Sequence, residues 1–256
     1  MGPPRLKAAA EIEAMAASGA LLARTLDVLA GAVAAGVTTA DLDGIAREHI
    51  RADGGQPSFL GYRAFPGSIC ASPNDLVVHG IPGPRPLADG DVVSLDVGVT
   101  LDGWVTDAAR TFVVGEGRPQ DLHLVATAEQ ALRDAIAVCV PGGTVGDVGA
   151  AVQARAGREG IGVFPTLIGH GVGRSLHEEP QVPNVGHPGH GPELRAGLVI
   201  AVEPMLTLGR PAIRLAPDGW SVFTIDGARA THAEVTVAVT DEGPRVLTPW
   251  GGTDRW

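Results

Sequence analysis

The spacing of hydrophobic and polar positions divides the beginning of the chain into a helical part followed by a β-rich part. Residues 6–35 are rich in Ala and Leu, and this pattern predicts a helix that ends before Gly36. Thr38 and Asp41 have the spacing of a capping box and predict a second helix to about residue 52. Runs of β-type composition then follow between Gly and Pro residues, at 59–63, 69–72, 76–79, 92–100 and 104–114.

The remainder of the chain repeats this order of elements. A helix is predicted over 119–140, and Thr144 and Asp147 repeat the capping spacing 106 positions after the first capping pair. At an offset of 107, Asp96 falls on Glu203. A period of this length is too long for a solenoid and favours two similar α+β halves sharing one sheet, with chance similarity as the alternative. The strand-like runs of the second half are 198–206, 212–216, 220–225 and 234–240.

A predicted hairpin brings two carboxylates together in the first half. The pair Asp102-Gly103 is a strong signal for a two-residue type I′ turn, because both central positions of that turn need positive φ. A turn at this point makes Asp96 and Asp107 diagonal neighbours on one face of the sheet. For this pair alone, a solvated strand face is the better interpretation.

Two further carboxylates change that interpretation. Glu203 and Glu234 each lie within a strongly apolar strand-like run. Charged groups in such strands are rarely left without a partner. Four carboxylates in the strands of one chain therefore point to divalent cations.

Three of the eight histidines are candidates for the same site. His170 lies between glycines that leave its imidazole accessible, His177 follows seven residues later, and His79 ends an apolar run. A neutral imidazole is the commonest metal ligand. One histidine with four carboxylates is an oxygen-rich set that suits Mn²⁺, Fe²⁺, Co²⁺ or Zn²⁺.

Other histidines carry weaker signals. His232 would share the face of Glu234 in an extended strand, and the sequence leaves open whether it neighbours the site or merely ends a strand. His187 and His190 lie in a segment rich in Gly and Pro, where a flexible exposed loop is favoured over a metal site.

Composition restricts the classes of partner. The 256 residues carry a formal net charge of −10 without a cluster of Lys and Arg, which argues against nucleic acid or a membrane as the partner. The two cysteines, Cys70 and Cys139, cannot form a disulfide framework. We find no signal-peptide pattern and no apolar run that approaches the ~20 residues of a membrane span. We therefore expect a cytoplasmic protein.

Five segments match the motifs of one known family, in that family's order: Phe65–Asn74, Val78–Pro82, Gly169–Gly173, His177–Pro180 and Glu203–Met205. With them, the chain resembles the type I methionine aminopeptidases from about residue 8 to 248. The resemblance implies an α+β, pseudo-twofold pita-bread fold, in which two related helix-helix-strand halves form one curved antiparallel sheet. We expect a single catalytic domain over 1–256, with a first half at 8–118 and a second half at 119–248.

The resemblance also implies a dinuclear site that removes the initiator methionine from nascent proteins with a small second residue, by hydrolysis with an activated water. Asp107 and Glu234 would bridge the two ions, and His79, His177 and Glu203 would be catalytic. The implied metal ligands are Asp96, Asp107, His170, Glu203 and Glu234. The implied substrate-binding residues are Tyr62, Phe65, Cys70, His79, His177 and Trp220. We expect a monomer that acts on N-terminal Met peptides and on nascent chains at the ribosome.

One departure and two alternatives accompany the resemblance. The family usually has Gln-aromatic-Glu-His-Thr around the last ligand, whereas this chain has His232-Ala233-Glu234-Val235-Thr236. Neighbours of a ligand orient it and tune the metal. A low-activity or non-catalytic peptide-binding paralogue is therefore one alternative. The other is an Xaa-Pro peptidase of the same fold, although those relatives generally carry an additional N-terminal domain.

Overall fold

The computed structural model describes residues 4–252 and 256. Within them, four α-helices are formed: α1 (Ala9–Ala32), α2 (Thr39–Ala52), α3 (Pro119–Ala137) and α4 (Val145–Arg158). The strands are β1 (Gln56–Pro57), β2 (Ile69–Pro73), β3 (Leu76–Val78), β4 (Val92–Leu101), β5 (Trp104–Val113), β6 (Gly162–Val163), β7 (Ile168–Gly171), β8 (Glu178–Pro183), β9 (Val199–Val202), β10 (Met205–Thr207), β11 (Ile213–Leu215), β12 (Val222–Thr224), β13 (Ala230–His232), β14 (Val235–Thr240) and β15 (Gly243–Val246).

Helices α2 and α4 begin in the same way, as the sequence predicted. The Thr38 side chain accepts a hydrogen bond from the backbone N–H of Asp41, and the carboxylate of Asp41 accepts one from the N–H of Thr38. Thr144 and Asp147 form the same reciprocal pair. Each box satisfies N–H groups that a helix start leaves without partners. Both predicted capping boxes are confirmed.

The strands pair in antiparallel fashion throughout the described part of the chain and divide into several sheets. Strand β4 pairs with β5 along its whole length, while β1 and β2 pair with successive parts of β4. A five-stranded sheet has the order β15-β14-β9-β7-β8. Two three-stranded sheets, β13-β10-β6 and β11-β12-β3, complete the set. Mutual backbone hydrogen bonds between Ala109 and Glu234 connect β5 to the start of β14. The two larger sheets therefore meet beside Glu234.

Helices cover these sheets and bury their apolar faces. Helix α1 packs against β4 and β5, and α3 packs against α4. Leu22, Leu26 and Leu29 of α1 are fully buried in the main core. Helix α1 is long and apolar enough to cross a membrane by length and composition, which the sequence pattern did not predict. Half of its most apolar window is buried inside the protein, so the core accounts for this composition.

Two predicted strands are wrong in detail. Residues 59–63 form bends and a 3₁₀ turn at Tyr62–Ala64, because Gly61, Arg63 and Ala64 all have positive φ and a strand cannot continue through them. The predicted strand 198–206 is divided into β9 and β10 at Glu203 and Pro204. Proline has no N–H to donate to a ladder, so the strand breaks there.

Candidate active site

The hairpin of β4 and β5 holds the first pair of carboxylates. Its turn residues Asp102 and Gly103 have φ of 50° and 73°, as a type I′ turn requires. The ladder sets Asp96 opposite Ala109 and places Asp107 two pairs nearer the turn. Both carboxylates line the same cavity. The predicted register and the shared face are confirmed.

The second half supplies its ligand candidates from strand ends. Glu203 directly follows β9, and Glu234 lies between β13 and β14. The side-chain amide of Asn184 donates to the carbonyl of Glu203 at 2.9 Å. Trp250 Nε1 donates to the carbonyl of Glu234 at 2.9 Å. The Glu203 carbonyl is thus held by a side chain, and the Glu234 backbone is held by Trp250 together with its backbone pairing to Ala109.

The five predicted ligands are brought together. His170 Nε2 lies 3.8 Å from Asp107 Oδ2 and 3.6 Å from Glu203 Oε1. His232 Nε2 lies 3.6 Å from Glu203 Oε2 and 3.5 Å from Glu234 Oε2. The other ring nitrogen of His170, Nδ1, is 2.9 Å from the carbonyl oxygen of Gly171, which orients Nε2 towards the carboxylates.

Burial makes this cluster unfavourable without a cation. Burial raises the pKa of Asp96 to about 6 and that of Glu203 to about 7. It also raises the pKa of Asp107 and Glu234 well above the usual range, and repulsion from the neighbouring carboxylates raises both further. Carboxyl groups this close cannot all ionise unless a positive charge lies among them.

The donor atoms fit divalent cations. Among the described residues, the buried side-chain oxygen and nitrogen atoms that have no hydrogen-bond partner are Asp96 Oδ1, Asp107 Oδ1, His232 Nε2 and Glu234 Oε1. Buried polar atoms are nearly always paired, so four orphans in one cluster require an explanation. Two triads, Asp96-His232-Glu234 and Asp107-His170-Glu234, each have ligand atoms within 4.8 Å of one another. Glu234 belongs to both triads.

Two further histidines lie beside the cluster and are neutral. The ring of His177 is 4.2 Å from that of His170, and its Nδ1 is 2.9 Å from the hydroxyl of Tyr62. Burial, together with repulsion from His170 and other cationic groups, lowers the pKa of His177 to about 3. Burial also lowers the pKa of His79 to about 4. Neutral rings of this kind can donate or accept a proton at the site.

Apolar side chains form the rest of the cavity, which has a volume of about 540 Å³. Phe65 and Trp220 meet edge to face at 5.1 Å, and Cys70 is paired with Asp96 across β2 and β4. Burial raises the pKa of the Cys70 thiol well above its usual value, so the residue behaves as a small apolar group. All six predicted substrate-binding residues line this cavity: Tyr62, Phe65, Cys70, His79, His177 and Trp220.

His232 is the residue that the predicted site left out. It ends β13 and also lines the cavity, so both interpretations left open by the sequence are correct. Its position two residues before Glu234 was the signal that could have identified it. His187 and His190, in contrast, are exposed and are not among the cavity-lining residues.

Comparison with known proteins places this geometry in a family. The model of metallopeptidase family M24 matches residues 13–241. The chain belongs to metallopeptidase family M24. It is 48% identical over 250 residues to methionine aminopeptidase 1 of Mycobacterium tuberculosis (strain CDC 1551 / Oshkosh), and the match covers 94% of each chain. A family of metallopeptidases implies divalent metal ions, as the carboxylate cluster does.

Solved structures of M24 proteins show the same fold. The crystal structure of methionine aminopeptidase from Rickettsia prowazekii has a TM-score of 0.95 at 36% identity, with 96% of this chain and 100% of that chain covered. Prolidase from Pyrococcus furiosus has a TM-score of 0.76 at 18% identity, with 96% of this chain but only 66% of that chain covered. The pita-bread fold that the sequence predicted is confirmed for this M24 chain.

Proposed function

We propose that this chain is a methionyl aminopeptidase, which removes the initiator methionine from nascent proteins and peptides with a small second residue. The observation that carries the proposal is the cavity itself, where buried carboxylates and histidines lie beside an apolar pocket. The similarity to methionine aminopeptidases over nearly the whole chain supports the same substrate. We further propose one catalytic domain, acting as a cytoplasmic monomer on nascent chains at the ribosome.

We propose that the cluster holds two divalent ions, of Co, Mn, Fe or Zn. The residues that would hold them are Asp96, Asp107, His170, Glu203 and Glu234. Asp107 and Glu234 are the bridging candidates: each carries a buried oxygen without a hydrogen-bond partner among the described residues, and Glu234 belongs to both triads. When bound, such ions lower the pKa of water and polarise a carbonyl group.

Glu203 is the proposed proton acceptor. Burial raises the pKa of its carboxyl to about 7 before any cation is present, and cations beside it would lower this value. A carboxylate beside a bound water can take a proton from that water and release it to a leaving group. The hydrogen bond that the Asn184 side chain donates to the Glu203 carbonyl keeps Glu203 in place at the break between β9 and β10.

His177 and His79 are the proposed contacts to the scissile amide. The Tyr62 hydroxyl lies 2.9 Å from Nδ1 of His177. In the tautomer in which this hydroxyl donates to Nδ1, the neutral ring carries its proton on Nε2 and can donate to the developing oxyanion. His79 also lines the pocket, edge to face with Trp220 at 6.2 Å, and would serve the amide nitrogen. Their low pKa values keep both rings neutral and able to donate without repelling the cations.

The apolar part of the cavity fits an unbranched thioether side chain. Phe65 is 3% exposed, and with Trp220 it presents aromatic edges that favour contact with sulfur. Tyr62 and Cys70 complete the lining. We propose that these four residues bind the methionine side chain and that the free α-amino group binds at the cation cluster.

One peptide series tests this function against the alternatives. Metal-stripped protein supplied with Mn²⁺ or Co²⁺ is incubated with Met-Ala-Ser, Met-Leu-Ser, Ala-Pro and Leu-Pro peptides, and released amino acids are quantified. We expect cleavage of Met-Ala-Ser and little cleavage of Met-Leu-Ser. Preferential cleavage of the Xaa-Pro peptides would favour the Xaa-Pro peptidase instead. Binding of Met-Ala-Ser without cleavage would favour a peptide-binding module.

A further inference from the structure

We propose that His232 is a sixth metal ligand, which binds through Nε2 the ion that Asp96 holds. Each of the two ions would then have one imidazole, from His170 and from His232. The inference rests on the proposed dinuclear site and extends it to a position where the family resemblance implies an amide side chain instead.

The backbone of His232 is fixed by the hairpin of the first half. Its N–H is 3.0 Å from the hydroxyl oxygen of Thr111 and 3.2 Å from that of Ser94. Its carbonyl accepts a hydrogen bond from Thr111 at 2.8 Å. It is also opposite Met205 in the pairing of β13 with β10. With its backbone held on two sides and only 3% of the residue exposed, the ring has little freedom to leave the cavity.

The distances around Nε2 suit coordination better than hydrogen bonding. Nε2 lies 3.5 Å from Glu234 Oε2 and 3.6 Å from Glu203 Oε2, which is beyond the usual 2.7–3.2 Å of an N–H···O bond. Two donor atoms that each lie about 2.1 Å from one ion are separated by roughly 3.0–3.6 Å at angles of about 90–118°. The predicted ligand His170 shows the same spacing, 3.6 and 3.8 Å from its carboxylates.

Two further observations point to a ligand. His232 Nε2 is buried and has no hydrogen-bond partner among the described residues. Its ligand atom lies within 4.8 Å of those of Asp96 and Glu234, in a triad that mirrors the one containing His170. An added nitrogen donor should tighten binding of the Asp96-side ion and shift its preference from Mn²⁺ towards Co²⁺ or Zn²⁺.

Proton NMR of the Co²⁺-loaded protein in water counts the bound imidazoles without any turnover. A histidine that binds cobalt through Nε2 carries its proton on Nδ1 and gives one hyperfine-shifted, exchangeable N–H signal. With two Co²⁺ ions bound, we expect two such signals, and His232→Gln should remove one. Calorimetric titration should show the second ion bound on the order of tenfold or more weakly in His232→Gln. His123→Gln, on the exposed face of α3, is the matched control and should leave both signals.

A single shifted signal in wild-type protein with two ions bound, unchanged in His232→Gln, would overturn the inference and leave the proposed function intact. Failure of the wild-type chain to bind two ions would instead overturn the dinuclear site and the inference together. If His232→Gln does not fold, the number of signals in the wild-type spectrum still decides.

Discussion

The two halves of the molecule bring carboxylates to one cluster by different structural means. In the first half, Asp96 and Asp107 lie inside a hairpin of two ten-residue strands that pair without interruption. In the second half, Glu203 and Glu234 lie at strand breaks, held by hydrogen bonds from Asn184 and Trp250. A regular ladder fixes one pair of ligands, whereas individual side chains and a single backbone pairing of Glu234 with Ala109 fix the other.

The largest expected effect comes from removing a bridging carboxylate of either half. Asp107→Ala and Glu234→Ala should each lower bound metal to one ion or fewer per chain and reduce methionine release to background, because each of these carboxylates would bridge the two ions. Elemental analysis of the dialysed variants measures this directly. If either variant retains two ions, the bridging assignment is incorrect for that half.

Two histidines of the second half should separate binding from catalysis. His170→Ala should lose metal and activity together, because Nε2 faces the carboxylates. His177→Ala should retain both ions and a similar KM, while kcat falls by about 10²–10³, the usual effect of removing one oxyanion donor. Metal analysis and steady-state kinetics distinguish the two. Equal metal loss would make His177 a ligand, and an unchanged kcat would leave it a structural residue.

The pH dependence of stability in chelator compares one carboxyl from each half. Burial raises the folded-state pKa of Asp96 from 3.8 to about 6 and that of Glu203 from 4.5 to about 7. For each carboxyl, the folded chain binds more protons than the unfolded chain at pH values between the unfolded and the folded pKa. The free energy of unfolding therefore falls as pH rises through that range. Between pH 5 and pH 8, wild type should lose about 1.5 kcal/mol relative to Asp96→Asn and about 2.5 kcal/mol relative to Glu203→Gln.

Comparison with these two variants is needed because buried histidines act in the opposite direction. His79 and His177 have lowered pKa values, so they favour folding more as pH rises, and this contribution cancels in the difference. Urea unfolding of wild type and both variants at pH 5 and pH 8 gives the six values required. A wild-type advantage that grows with pH would contradict the assignment of raised pKa values.

The smallest effect should distinguish the supports of the two halves. Asn184→Ala leaves the carbonyls of Glu203 and Leu167 without their donor and should cost about 2 kcal/mol of unfolding free energy, with weaker metal binding. Ser58→Ala, which removes a hydroxyl contact to Thr100 beside the hairpin, is the control and should leave metal affinity unchanged. Equal metal affinity in both variants would show that Asn184 does not position Glu203.

This difference between the halves also explains what the sequence could predict. The turn at Asp102-Gly103 fixes a register, so the neighbourhood of Asp96 and Asp107 followed from local pattern alone. Strands β7 and β8 were not predicted, because one contains two glycines and the other contains two prolines, residues that are depleted in strands. The ligand His170 was therefore identified by its flanking glycines and by resemblance, without its strand.

The position of His232 required the tertiary structure. Its strand β13 has only three residues, and its backbone partners Ser94 and Thr111 lie more than 100 positions away along the chain. No local pattern encodes such a contact. The sequence could place His232 on the face of Glu234, whereas the direction of its ring depends on the hairpin of the other half.

Titration of the metal-stripped protein with Co²⁺ tests the central claim most directly, with bound metal and methionine release from Met-Ala-Ser followed in the same samples. The account predicts no release in chelator, and activity that rises with bound metal until two ions are bound per chain. Methionine release that persists in chelator, or full metal binding without any release, would contradict it.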